Sequence, residues 1–157
     1  MMIYSKTCEY AIRALSYLAK KEKGVFTMIA EVGERTGVPG PYIAKIFQSL
    51  VKSHMLESQR GPLGGFAFKK DPQFISLNEI IKVIDENSIT DECVMGLDQC
   101  NSQNACPLHF VWSRARKQVL EKLGSYRITD ITKTIQKLDY RNTKRSRLHM
   151  TAMLRTG

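Results

Sequence analysis

The chain has 157 residues, 43% of them hydrophobic, four cysteines and a formal net charge of +9, which suits one core plus an oligomerisation element and leaves no room for two enzyme-sized domains. Charges interrupt every apolar run well before the ~20 residues of a membrane span, and the start MMIYSKTCEY lacks the apolar core of a signal peptide. A soluble, cytoplasmic protein with no membrane partner is expected.

The charge is unevenly spread. Residues 1–70 carry eleven Lys/Arg against five Asp/Glu, residues 71–110 one against seven, residues 111–140 seven against three, and the tail from Arg141 five basic residues and no acid. A basic front half suits a polyanion such as nucleic acid, whereas the acidic centre argues against phosphate contact there.

In residues 6–22, Cys8, Ala11, Ile12, Leu15, Leu18 and Ala19 recur at three- and four-residue steps, and Gly24 follows. The spacing predicts a helix with Cys8 as a small buried hydrophobe. Glu9 falls off the stripe, on a polar side with Arg13, Ser16 and Lys20.

From Thr27 the sequence TMIAEVGERTGVPGPYIAKIFQSLVKS reads as two helices joined by a tight turn. Thr27 is the expected cap of the first, Gly33 a small residue at a close crossing, and Gly37 a left-handed terminator. Pro39 or Pro41 opens the second helix. There Ile43, Ile46, Phe47, Leu50 and Val51 form the inward stripe, while Tyr42, Lys45, Ser49 and Lys52 face outward as donors for phosphates and base edges.

A strand through Met55–Gln59, the turn RGPLGG and the alternating Phe66–Lys70 make a hairpin. Its Arg60, Lys69 and Lys70 suit a wing lying along a minor groove. After Asp71-Pro72, Ser76 and Glu79 have the spacing of a capping box for a helix ending near Asn87, with Leu77, Ile80, Ile81 and Ile84 inward.

Next comes CVMGLDQCNSQNACPLH, with the spacing Cys93-x6-Cys100-x5-Cys106-x2-His109. Its Gly, Asp, Asn, Ser and Pro content predicts a loop with no core of its own. In a reducing cytosol, thiols so bunched point to a soft metal centre, zinc or an iron–sulfur cluster, rather than to a disulfide framework.

Residues 108–123 form the longest amphipathic stretch, with Leu108, Val111, Trp112, Ala115, Val119 and Leu123 on one face and Gly124 as its stop. Too little chain remains to cover that face, so a second copy is the expected partner, giving a homodimer with two recognition helices on one DNA face. A short helix over 130–139, with Ile131, Ile135 and Leu138, closes the fold, and the basic tail is expected to be disordered.

Helix, helix-turn-helix, wing and three-cysteine loop, in this order, resemble the Rrf-two family of bacterial winged-helix regulators. The stretches that carry the likeness are SKTCEYAIRALSYLA, IAEVGERTGVPGPYIAKIFQSL, RGPLGGFAF, LNEIIKVID and C-x6-C-x5-C-x2-H, covering roughly residues 1–138. The resemblance implies a homodimeric transcription regulator, read as a repressor, that binds a palindromic double-stranded DNA operator under the control of an iron–sulfur cluster sensing redox state, nitric oxide or cluster supply. It also implies that Cys93, Cys100 and Cys106 are the cluster thiolates. In one branch His109 would complete a [2Fe-2S] site; in the other Glu9 of the partner copy, as Glu where Asp is commoner, would complete a [4Fe-4S] site. The chain departs from the family at Leu63, where the wing usually has glycine, and at Pro39 and Pro41, where some members have hydroxyl residues that bond DNA.

The expected architecture is therefore mainly α with a small β-hairpin wing. Residues 1–72 form a winged helix-turn-helix, residues 73–139 hold the cluster loop and a long dimerisation helix, and residues 140–157 form the tail. The competing readings keep this module but give the loop a structural Zn²⁺ held by Cys93, Cys100, Cys106 and His109, or a thiol switch. An enzyme is not expected, for the sequence offers no nucleophile–base pair, no phosphate-cradling glycine loop before a helix and no metal site with an acidic general base.

Overall fold

The computed structural model describes residues 4–85, 93, 95–96, 102–103 and 105–135. Cys100, Asn87, Leu138 and the tail 140–157 lie outside the described residues. Helix α1 spans Lys6–Leu18 and is capped by the Ser5 hydroxyl, which accepts from the Cys8 N–H. It ends four residues before the predicted limit, because Ala19 already closes the last turn onto Leu15 and Tyr17.

Helices α2 (Ile29–Thr36) and α3 (Gly40–Lys52) follow. Gly37 takes φ 69° at the end of α2, as its position predicted. At Gly33 a Cβ would lie 3.1 Å from the Val38 carbonyl oxygen and 3.6 Å from Ile43 Cδ1, so the residue is small because the turn and α3 press against it. Thr27 is not the cap of α2: Met28 takes that position without a side-chain bond. Thr27 is drawn instead into a backbone bridge with Phe66 of the hairpin.

Strands β1 (Leu56–Gln59) and β2 (Gly65–Phe68) pair antiparallel, with Leu56 opposite Phe68 and Gln59 opposite Gly65. The strand ends at Phe68, two residues before the predicted limit; within it Ala67 is buried and Phe66 and Phe68 pack partly buried against the core. The Lys70 N–H stays bonded to the Met55 carbonyl at 3.3 Å, but its ammonium turns to Glu79 at 2.6 Å.

A short 3-10 turn, Pro72–Phe74, leads into α4 (Leu77–Ile84). The capping box is present in both directions: the Ser76 hydroxyl accepts from Glu79 N–H, and the Glu79 carboxylate accepts from Ser76 N–H. Burial works against ionisation of that carboxyl, but Lys70 and Ser76 outweigh it and hold its pKa below the ordinary value. The helix stops at Ile84 with Asp85 as its cap, earlier than predicted.

Helix α5 runs from His109 to Ser125, through Gly124 rather than up to it. A Cβ on Gly124 would stand 3.8 Å from Asn78 of α4, an ordinary contact, so the close approach of α5 to α4 does not require glycine there. Helix α6 spans Ile128–Ile135 and, with α2, α3 and α4, packs on α1. That contact corrects the placing of Ser16 on a polar side. Ser16 is buried, and its carbonyl accepts from Thr132 of α6 at 3.4 Å.

Leu15, Ile43, Ile46, Phe47, Leu50, Leu56, Ile75, Ile80, Ile81 and Ile128 are completely or almost completely buried in one core. Each such side chain contributes about 1.5–3 kcal/mol. Helices from both predicted segments thus share their interior, with α1 at the centre.

Gly61 and Gly65 both have positive φ, at 108° and 140°. They differ in surroundings, since a Cβ on Gly65 would lie 2.4 Å from the Thr27 carbonyl oxygen whereas one on Gly61 meets nothing within 4 Å. Gly65→Ala should therefore lose more stability in urea denaturation than Gly61→Ala, whose cost is limited to the roughly 1–3 kcal/mol of backbone strain. Equal losses would show that the wing does not press on Thr27.

Candidate nucleic-acid interface and cysteine loop

The inward stripe of α3 fixes which of its residues face out. Ile43, Ile46, Phe47 and Leu50 are buried, leaving Tyr42, Lys45 and Lys52 exposed and Ser49 half-buried. Ser49 Oγ donates to the Lys45 carbonyl at 3.4 Å, a local bond that leaves the hydroxyl on the outer face. Gln48 was not singled out from the sequence, yet it is exposed on the same helix, three residues after Lys45. Its amide has a donor and an acceptor side by side, the pattern that pairs with adenine in a major groove. The signal was available in the spacing, because a residue three steps from an outward lysine shares its face.

Two aromatic rings steady the start of α3. Tyr42 meets Tyr10 of α1 edge to face, with centroids 5.6 Å apart at 72°. The Lys6 ammonium lies 5.3 Å from the Tyr10 ring centroid, so a cation stands beside the recognition helix without belonging to it.

The hairpin is locked to this unit by the Thr27–Phe66 bridge and by the Phe66 ring, whose centroid lies 5.0 Å from that of Phe47. At its far end Arg60, Gly61, Pro62 and Leu63 are exposed, and the Gly64 N–H closes the turn onto the Gly61 carbonyl at 2.9 Å. Lys69 is exposed at the end of β2.

Five basic residues are spent in salt bridges. Lys6 and Arg13 pair with Glu9, Lys21 with Glu31, Lys70 with Glu79 and Lys117 with Glu121. The Lys21 bond and the Tyr17 hydroxyl together hold the Glu31 carboxyl below its usual pKa, which fastens the end of α1 to α2. Among the described residues none of these salt bridges involves Lys45, Lys52, Arg60 or Lys69. Those four cations are the ones on the outer face of α3 and on the wing.

The described part of the cysteine loop places some of the candidate ligands. Cys93 and Cys106 are half-buried, and neither is in a disulfide. Cys93 accepts at its carbonyl from Gly96 N–H, at 2.9 Å. His109 is buried at the first turn of α5. Its N–H donates to the Cys106 carbonyl at 2.9 Å, so these two candidates share one turn. The His109 ring stands edge-on to Phe110, with centroids 5.3 Å apart. Glu9 sits in the first turn of α1, engaged by Lys6 at 2.5 Å and by Arg13. No group of three or more Cys, His, Asp or Glu with metal-ligand geometry forms among the described residues.

Cys8 behaves as its position on the stripe predicted. It is fully buried, and burial first, with the nearby Asp85 carboxylate second, pushes its thiol up to about 12.

A helix-turn-helix whose second helix turns unpaired cations outward, followed at once by a locked basic hairpin, defines a winged helix-turn-helix regulator that binds DNA. The family model described as iron-dependent transcriptional regulator, Rrf2, matches residues 4–134, and the chain belongs to that family. A helix-turn-helix-type transcriptional regulator of Aquifex aeolicus is 29% identical over 132 residues, covering 83% of this chain and 91% of the relative. The regulator IscR of Xenorhabdus nematophila is 28% identical over 130 residues, covering 83% and 79%. Among solved structures, CymR (YrzC), the global cysteine regulator of B. subtilis, superposes with a TM-score of 0.72 at 24% identity, over 85% of this chain and 98% of that one. Its likeness extends to the fold. No helix among the described residues is long and apolar enough to cross a membrane.

Alkylation with iodoacetamide at pH 8 should modify Cys93 and Cys106 in folded, metal-free protein and leave Cys8 untouched until denaturant is added, because the thiolate is the nucleophile and Cys8 is both covered and protonated. Peptide mass mapping that found Cys8 labelled as fast as Cys106 would contradict the buried placement.

Proposed function

We propose that this regulator binds a palindromic operator as a homodimer and that an iron–sulfur cluster held by its cysteine loop sets the affinity. The observation that carries the DNA half is the placing of charge: Lys45, Lys52, Arg60 and Lys69, the cations on the outer face of α3 and on the wing, enter none of the salt bridges among the described residues. Tyr42, Ser49 and Gln48 complete the surface read by bases and phosphates. In this reading residues 1–72 contact DNA, residues 73–139 sense and pair, and the basic tail 140–157 adds sequence-independent affinity.

Pairing is supported by α5, where Leu108, Phe110 and Val111 are 44%, 74% and 70% exposed. An apolar run of that kind on a regulator is covered by a second copy more economically than by water.

The cluster half is supported by the family description as iron-dependent, by the likeness to IscR, and by the chemistry of the donors. Cys93 and Cys106 are partly accessible, and His109 is fixed one turn from Cys106. Cys93, Cys100 and Cys106 would be the thiolate ligands, with His109 or the partner copy's Glu9 as the fourth. Such a centre, when bound, supplies redox- and nitric-oxide-reactive iron. This chain's part is to hold the loop next to α4 and α5, so that a change in the loop alters how the two recognition helices are spaced. The second reading, a zinc staple or a thiol switch at the same cysteines, is favoured by the partial exposure of Cys93 and Cys106, which leaves them open to thiol chemistry.

Protein purified without oxygen should absorb in the visible sulfur-to-iron charge-transfer region and contain iron and sulfide in equal amounts. Cys100→Ala and Cys106→Ala should each remove that absorption. Colourless protein with one zinc per chain would select the staple, and a spectrum unchanged by either substitution would remove those cysteines from the ligand set. On the DNA side, Lys45→Ala and Arg60→Ala should each weaken operator binding by about fivefold to a hundredfold at matched salt, with the slope against log salt reduced by roughly one if the contact is to phosphate. Affinity equal to that of the parent protein would refute the docking.

A further inference from the structure

We propose that Leu63, at the tip of the wing, is an apolar specificity contact that enters the minor groove and makes the chain favour A·T pairs there. The inference rests on the DNA-binding reading above. Leu63 is 88% exposed, more than any other large hydrophobic residue among those described. A flexible loop could fold such a side chain back; this turn is held from beneath. Pro62 fixes one backbone angle, the Gly64 N–H bonds the Gly61 carbonyl at 2.9 Å, and a Cβ on Gly64 would lie 2.3 Å from the Gln59 carbonyl oxygen. Behind it Gly65 is pressed on Thr27 and Phe66 on Phe47. Leu63 is thus presented at a fixed position relative to α3, with Arg60 three residues away on the same turn.

The surroundings choose the partner. Arg60 and Lys69 enter no salt bridge among those described, and Gln59 and Ser58 beside them are polar and exposed. An apolar tip set among cations matches a minor groove, where phosphates flank the opening and sugar faces line the walls. A protein interface would ask for more apolar neighbours. The groove floor discriminates because guanine places an amino group there, whereas A·T and T·A pairs leave acceptors only. A branched side chain pushed to that depth meets the amino group as an obstruction.

The test starts from duplexes selected by the wild-type protein from a random library, followed by fluorescence anisotropy on the preferred duplex and on one with the base pairs under the wing changed from A·T to G·C. Leu63→Ala and Leu63→Ser should bind the preferred duplex about tenfold more weakly, as expected for losing burial of part of a leucine. They should keep the wild-type salt slope, since no phosphate contact is lost, whereas Arg60→Ala lowers the slope. They should also lose most of the preference for A·T under the wing, and Leu63→Met should retain it. Melting temperatures should match the parent, because the side chain touches little of its own chain. Unchanged affinity and unchanged A·T preference in Leu63→Ser would overturn the proposal. So would dissociation of the dimer in that variant, which would assign Leu63 to a protein contact. Failure of the wild-type protein to select any duplex above competitor DNA would instead overturn the DNA-binding reading itself, and the role of Leu63 with it.

Discussion

The DNA-facing half of this molecule depends on one short pairing, the two backbone hydrogen bonds of 3.0 Å between Thr27 and Phe66. Without it the hairpin would be a two-stranded ribbon of four residues a side, too small to hold its own orientation. With it the wing is joined to the start of α2, and the Phe66 ring reaches across to Phe47 on the inward stripe of α3. The recognition helix and the wing then move as one body. Gly65 is the residue that allows the approach, since any side chain there would occupy the place of the Thr27 carbonyl.

The helical order and the wing were legible in the sequence because each rests on local rules. The stripe of α3, the left-handed Gly37 and the Ser76–Glu79 box are decided within a few residues, and the structure has each of them where those rules put it. What the sequence misplaced was decided by distant contacts. Thr27 has a capping residue's chemistry, but a strand forty residues away claims its backbone. Ser16 reads as polar and exposed, but α6, more than a hundred residues on, covers it. His54 is a separate, local case on which no reading was made from the sequence: it takes φ 60° just past α3, so that Met55 N–H can bond the Leu50 carbonyl. No glycine marks that turn.

The candidate site divides along the same line. The outward face of α3 followed from the inward one, so Tyr42, Lys45, Ser49 and Lys52 could be named in advance. Which cations are spent in pairs could not, because Lys70 looks like a wing residue until Glu79 of α4 is seen 2.6 Å away. For the loop, spacing names candidate donors only, and Cys100 among them lies outside the described residues.

Under the proposed switch, the link from the loop to the DNA face runs through the end of α4. Asp85, the cap of α4, accepts from the Ser5 N–H at 2.8 Å and from the Ser5 hydroxyl. The same hydroxyl accepts the Cys8 N–H and so caps α1. One serine therefore joins the end of α4 to the start of the helix that packs on α2, α3, α4 and α6. Displacing Asp85 would free the cap of α1 and remove a negative charge from beside Cys8. One turn further along, Glu9 holds Lys6, and Lys6 stands over Tyr10, which touches Tyr42. The chain of contacts from the end of α4 to the first turn of the recognition helix is thus short, built from charged and aromatic pairs rather than from core packing. Contacts of that kind are individually worth little where solvent reaches them, so under the proposed switch they are the ones to shift while the hydrophobic core around α1 stays intact.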